Sequence, residues 1–274
     1  MEQVRAGLFI GTSGWSYATD WTGVFYESKA NMLEQYFTYF DTSEINSTFY
    51  ALPRPEFVSH LAELRDQRKF FTAKLPKKVT HDCRLNTDGE GGQTLQRFFE
   101  ILSPLVNKIA ALLIQLPPWD IDEMSDLETF LSALDSRFRY AIEFRHESWL
   151  KEPVFSLLER YHVSSVIVDE PKLPITLRLT TDFAYIRWHG RGSKPWYQYR
   201  YSEAELREWV PRLRELQEQT DCIYGYFNNH FSGNAPVNAL QMLQLLQVST
   251  PEQQDKLRRM LTGSAMSQSS LEDF

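Results

Sequence analysis

Tyr140-Ala-Ile-Glu143-Phe-Arg145-His146-Glu-Ser-Trp149 passes from an apolar run straight into an acid, a guanidinium, an imidazole and an indole. Read with the alternation of a strand, Ala141, Glu143 and Arg145 share one face and Ile142 and Phe144 the other. Charge on one face and apolar side chains on the other, where the strand stops, is the pattern expected at the mouth of a parallel β/α barrel. One such run decides little. Eight of them, spaced to leave room for helices, would decide the fold class.

Seven more follow the same rule: Leu8–Ser13, Thr42–Asn46, Phe70–Leu75, Ile109–Gln115, Val163–Asp169, Ala184–His189 and Ile223–Asn228. Helical patterns lie between them near Asn31–Phe40, Pro55–Arg68, Gln93–Ser103, Ser125–Leu134, Pro153–Tyr161, Ser202–Gln219 and Val237–Leu246. Ser202-Glu-Ala-Glu205 reads as a capping box. Pro171 to Asp182 holds two prolines and no 3.6 period, so the sixth helix is expected to be short or missing. An extra C-terminal helix, Pro251–Leu261, precedes a Ser-rich stretch. The expectation is an α/β fold, a single TIM-type (β/α)8 barrel over 1–262, with a flexible tail over 263–274. A doubly wound open sheet is the alternative, because chain order alone does not show closure.

Composition narrows the function classes. With 42% hydrophobic and 24% charged residues in 274, the chain is an ordinary globular protein with a sizeable core. A net charge of −7 argues against wholesale wrapping of nucleic acid, though not against a local basic patch. Cys83 and Cys222 stand far apart without metal spacing, which fits reduced thiols. No export signal opens the chain, and the longest apolar run, Ile109 to Ile114, is too short for a bilayer, so a cytoplasmic protein without membrane contact is expected.

In a barrel the last polar side chains on each inward face form the site. Alternation gives Ser13, Glu44 with Asn46, Lys74, Gln115, Glu143 with Arg145, Asp169, Arg187 with His189, and Asn228. The competing reading is a lumen filled by mutually paired ions. Desolvation cancels much of such pairs' attraction, so apolar filling would serve stability as well, and function is the better reason for the charges. After the seventh run, His189-Gly190-Arg191-Gly192-Ser193-Lys194 combines backbone freedom with positive charge. After the eighth, Asn228-Asn229-His230 leads into a helix start. Adjacent loops of this kind are where barrel enzymes often hold a phosphate. Trp15, Trp21, Trp119, Trp149 and Trp196 fall in the post-strand loops, where they stack on a ligand or, more often, pin the loops. His81, His146, His189 and His230 lie beyond strand ends. No His-x-x-x-His pair exists, and Lys74, Arg145 and Arg187 would repel a cation, so neither a metal nor another cofactor is expected.

These residues form an ordered series: Gly11-Thr-Ser-Gly-Trp15, Glu44-Ile-Asn-Ser-Thr-Phe-Tyr50, Phe71-Thr-Ala-Lys74 with Thr80-His81, Gln115-Leu-Pro-Pro118, Glu143 to Trp149, Arg187-Trp-His-Gly190 and Phe227-Asn-Asn229. The series resembles the YecE-like family, domain of unknown function 72, from about Leu8 to Leu246. The resemblance implies a TIM-type barrel and leaves the chemistry open. It also implies a likeness in fold to endonuclease IV and sugar isomerase barrels, whose metal-ligand set has no evident match here.

The functional expectation is an enzyme acting without metal on a small anionic or polyhydroxylated metabolite, such as a sugar phosphate or nucleotide. Hydrolase, isomerase and lyase chemistry all fit. Catalytic candidates are Glu143, His189, Lys74, Arg145, Arg187 and Asp169. Ligand-binding candidates are Ser13, Trp15, Glu44, Asn46, Gln115, His146, Gly190, Arg191, Gly192, Ser193, Asn228 and Asn229. The alternatives are a nucleic-acid (DNA lesion) binding protein and a non-catalytic metabolite sensor or scaffold.

Overall fold

The apolar runs are strands in the computed structural model, which describes residues 7–192 and 198–269. They are β1 (Gly7–Thr12), β2 (Thr42–Ile45), β3 (Phe70–Lys74), β4 (Ile109–Gln115), β5 (Tyr140–Glu143), β6 (Val163–Ser165), β7 (Ile167–Asp169), β8 (Phe183–Trp188) and β9 (Cys222–Phe227). The sixth expected strand is thus split at Val166, whose amide still donates to Ile142 at 2.9 Å. The sheet order is β6-β5-β4-β3-β2-β1-β9-β8-β7. Its two ends are consecutive halves of one extended stretch, so the order returns upon itself as eight strands. This is the α/β barrel of TIM type, and the open-sheet alternative is set aside. Gln115 lies level with Glu143 in the β4–β5 register, which brings two candidate side chains to the same height.

The helices are α1 (Ala18–Trp21), α2 (Met32–Phe37), α3 (Ser47–Tyr50), α4 (Pro55–Ala62), α5 (Glu90–Leu102), α6 (Leu127–Ser132), α7 (Glu152–Arg160), α8 (Glu203–Gln219), α9 (Asn234–Leu245) and α10 (Pro251–Ser269). Pro55 and Pro153 sit in first turns, where a missing N–H costs nothing. The Ser202–Glu205 capping box forms as expected. One-turn α1 and α3 were not expected, because four residues are too few to show a 3.6 period. Residues 170–182 contain no helix. Thr180 works there instead: its hydroxyl accepts from the Ser165 amide at 2.8 Å and donates to the Val163 carbonyl at 2.6 Å, closing the β6 backbone. The expected tail, 263–274, falls on residues whose side chains lie outside the described set, although α10 itself runs to Ser269.

Two compact units make up the chain. The first comprises Met1–Ser43, Asp169–Lys172 and Arg187–Phe274. Here β1 pairs with β9 in parallel from Gly7↔Cys222 to Thr12↔Phe227. Trp188 stacks on Phe227 at 4.4 Å and meets Trp209 edge-on at 5.3 Å, all three buried. Gly11 is glycine because a Cβ there would stand 2.2 Å from the Thr42 carbonyl oxygen. The second unit comprises Glu44–Val168 and Leu173–Ile186. β3 to β6 form its parallel core, and Phe99 packs on Phe138 and Tyr140 beneath α5.

Candidate functional site

In the second unit, β2 to β5 each deliver a charged or amide group at or just beyond their C-terminal ends. Glu44 is wholly buried, and its Oε2 accepts from the Tyr185 hydroxyl at 2.7 Å. Tyr185 lies 2.9 Å from Thr72 Oγ1. The other Glu44 oxygen faces Lys74 Nζ at 3.9 Å, and that ammonium donates to Gln115 Oε1 at 3.0 Å. Glu143, also fully buried, forms an ion pair with Arg145 Nε. Asn46 is half-buried at the start of α3. Carboxylates held inside while their cations keep some exposure is an arrangement that costs desolvation energy.

Just outside lies His81, in a tight turn over Lys78–Asp82. Its Nδ1 is 2.9 Å from Thr80 Oγ1. Burial first, then the positive charges of Lys77, Lys74 and Arg145 against Asp82, pull its pKa down to about 4. The ring is therefore neutral at pH 7. Arg84 and Leu85 follow with φ of 51° and 68°. Left-handed backbone at two successive residues other than glycine costs on the order of 1–3 kcal/mol each, and such strain gathers at functional sites. It sets Arg84 over the Trp119 ring at 4.9 Å. His146 caps the turn that begins the α7 connection, with Nδ1 near Ser148 at 2.9 Å and Asp120 at 3.7 Å. Trp149 is buried, stacked on Phe144, and donates to the Trp119 carbonyl, so it pins this loop.

The first unit holds a second group. Arg187 Nη2 reaches Ser13 Oγ at 3.4 Å, both residues buried. His189 Nδ1 lies 2.9 Å from the Asn228 side-chain nitrogen. Asp169 takes Arg191 Nε and Nη2 at 3.0 Å and the Trp209 indole at 2.7 Å. Arg191 also meets Glu208 at 2.9 Å. Burial alone would lower the Arg191 pKa, but its bonds to Asp169 and Glu208 win and raise it. The Gly190 amide donates to Tyr201 at 2.9 Å. Asn229 donates to the Tyr199 carbonyl and to Asn238, which in turn holds both backbone groups of Tyr201. Gly192 is packed close beside Tyr199. Ser193, Lys194 and Trp196 lie outside the described residues. Trp15 is half-buried, and its carbonyl accepts from Tyr26.

Asp169, Arg191 and Asn229 are thus engaged in holding the stretch after β8, whereas Lys74, Gln115, Glu44, Glu143 and Arg145 gather at neighbouring strand ends. Among the described residues no three His, Cys, Asp or Glu side chains are grouped as a metal ion would need. No helix among them is long and apolar enough to cross a membrane.

A family model described as "Protein of unknown function DUF72" matches residues 9–261. The chain belongs to the DUF72 family. UPF0759 protein YunF of Bacillus subtilis is 27% identical, over 88% of this chain and 95% of its own. UPF0759 protein YecE of Escherichia coli K12 is 27% identical, over 89% and 94%. A crystal structure of a DUF72 protein from Thermotoga maritima superposes with TM-score 0.76 at 30% identity, covering 88% of this chain and 99% of that one. A DUF72 protein from Enterococcus faecalis gives 0.75 at 21%, covering 89% and 99%, and supports the fold alone. In this DUF72 chain most of the motif series lies at or just beyond strand ends, with Thr80-His81 in the turn that follows β3. Sequence reasoning left out Tyr185, and it noted Thr72 and His81 only within a motif and beyond a strand end, without a place among the site candidates. Tyr185 was within reach, since it stands two residues before Arg187 on the same face of β8.

Proposed function

We propose that this protein is an enzyme of small, polar, anionic metabolites, phosphate esters above all, using acid–base chemistry without a metal at the ends of β2 to β5. The observation that carries this reading is the complete burial of Glu44 and Glu143 beside cations whose side chains keep 10% and 17% exposure. Removing two carboxylates from water gains little stability that apolar side chains would not supply. Such groups are kept where a proton must move or developing charge must be stabilised.

Glu143 is the proton-transferring carboxylate, and Arg145 aligns it. Lys74, fixed by Gln115 and Glu44, donates to the ligand and stabilises negative charge that forms on it. Tyr185 and Thr72 hold Glu44 in place. Lys74 and Arg145 supply the positive charge that a divalent ion would otherwise bring. In the other unit, His189 oriented by Asn228 is a second acid–base group, and Arg187 with Ser13 a second anion-binding one.

The test compares the wild type with Glu143→Gln over a panel of phosphate esters. Turnover of at least one ester, with kcat falling by about 10²–10⁴ in the variant and ligand affinity unchanged, is the expected result. Esters that bind the wild type and are never turned over would replace the enzyme by a metabolite sensor built on the same residues.

A further inference from the structure

The groups around Lys74 continue outward as a row of rings. Lys74 Nζ lies 5.7 Å from the Phe49 centroid. Phe49 meets Tyr50 edge-on at 5.2 Å and His81 edge-on at 5.2 Å, and His81 lies 6.3 Å from Trp119. Arg84 covers Trp119 and donates to the Glu123 carbonyl rather than to a carboxylate. Tyr50 is 81% exposed, more than the other exposed large apolar side chains, and Phe49 and Trp119 are half-buried. Burial does not account for Tyr50, which meets water over most of its ring, while Trp149 bonds to the backbone oxygen of Trp119. The charges that act on His81 are Lys77, Lys74 and Arg145 against Asp82, and Lys74 and Arg145 pair with the buried Glu44 and Glu143.

We propose that this row is a stacking platform and that the ligand is an anion carrying a flat unsaturated ring, a nucleoside monophosphate being the simplest case. The ring lies along the Tyr50–Phe49–His81–Trp119 row, and Arg84 at its Trp119 end receives the phosphate. The proposal rests on the preceding reading, that an anionic metabolite binds at these strand ends, and names its class. Aromatic faces hold flat rings of many substituents, and the nearby cations favour an anionic ligand over a neutral one of the same shape. A sugar phosphate offers no such face.

Calorimetric titration of the full chain with adenosine 5′-monophosphate, ribose 5-phosphate and uncharged adenosine tests it. The nucleotide should bind at least about tenfold more tightly than either of the others, as one stacked base supplies. Trp119→Ala should abolish the preference over ribose 5-phosphate and leave ribose 5-phosphate affinity unchanged. Tyr50→Ala, at a position too exposed to matter for folding, should reduce the preference in the same direction. Equal affinity for the two phosphates would overturn the platform and leave the anion site standing. A preference untouched by both substitutions, or no binding of either phosphate, would overturn it as well. Tight nucleotide binding with no ester of the panel turned over would instead sink the enzyme reading and spare the platform.

Discussion

Replacing Asp169 by alanine should destabilise the protein by about 3 kcal/mol, and the figure can be built from its partners. The carboxylate is nearly inaccessible and accepts from Arg191 at 3.0 Å on each oxygen and from Trp209 Nε1 at 2.7 Å. Without it the buried indole N–H has no acceptor, which costs about 1–3 kcal/mol. Deleting one partner of a buried ion pair costs about 3–5 kcal/mol when the other is stranded. Arg191 is not stranded, since its side chain is one-quarter exposed and keeps Glu208 at 2.9 Å, so its share falls to about 1–2 kcal/mol. Neighbouring losses do not add fully, hence about 3 kcal/mol and a Tm lower by about 6–12 °C. Asp169→Asn retains one acceptor and should lose about half as much. Urea unfolding followed by tryptophan fluorescence measures both, with the midpoint falling and the slope unchanged. A loss below about 1 kcal/mol for Asp169→Ala would refute the structural assignment. With a collapse of turnover beside it, the carboxylate would have to be placed in the chemistry instead.

Two further outcomes follow from the geometry. His81 should titrate near pH 4 by NMR, and Lys77→Ala should move it upward; a midpoint near 6.5 would show an open, unopposed ring. Because the unfolded ring takes up its proton first, this group's contribution to stability is present above about pH 6.5 and is lost as pH falls toward 4. Gly11→Ala should cost about 2–3 kcal/mol, since its Cβ would press on the Thr42 carbonyl and the Tyr36 hydroxyl at 2.9 Å; a near-neutral melting temperature would mean that β1 and β2 separate easily.

The fold was legible because its signal is repetitive. Short apolar runs that end in a polar group recur at helix-sized intervals, and strand limits read that way lie within two residues of those observed for Tyr140–Glu143 and Phe183–Trp188. What escaped were features without a period. Val166 interrupts a run whose composition is uniform, α1 and α3 are single turns, and Thr180 reaches β6 from a segment that has no pattern of its own. The candidate site was legible to the extent that strand ends are. Glu44, Lys74, Gln115, Glu143 and Arg145 came from alternation alone. His81 did not, because its place depends on a strained turn whose path is set by Arg84 and Leu85 rather than by any propensity.

Alternation also cannot separate two kinds of charge that look alike in a sequence. Asp169 and Glu143 both end strands, both are buried, and each pairs with an arginine of the same chain, Arg191 and Arg145. Asp169, however, meets its guanidinium on both oxygens and adds an indole, and that guanidinium is itself tied to Glu208 on α8. The whole set spends its hydrogen-bonding capacity on fixing Gly190 to Gly192 against a helix. Lys74 and Arg145 meet side chains at neighbouring strand ends: the ammonium bonds to the Gln115 amide oxygen with Glu44 at 3.9 Å, and Arg145 pairs with Glu143 on the strand it follows. A bidentate clamp is rigid and hard to displace, whereas a monodentate ammonium beside an amide exchanges partners at little cost. The proposed ligand chemistry is accordingly placed at β2 to β5, whereas the bonds of Asp169 hold the stretch after β8 in shape.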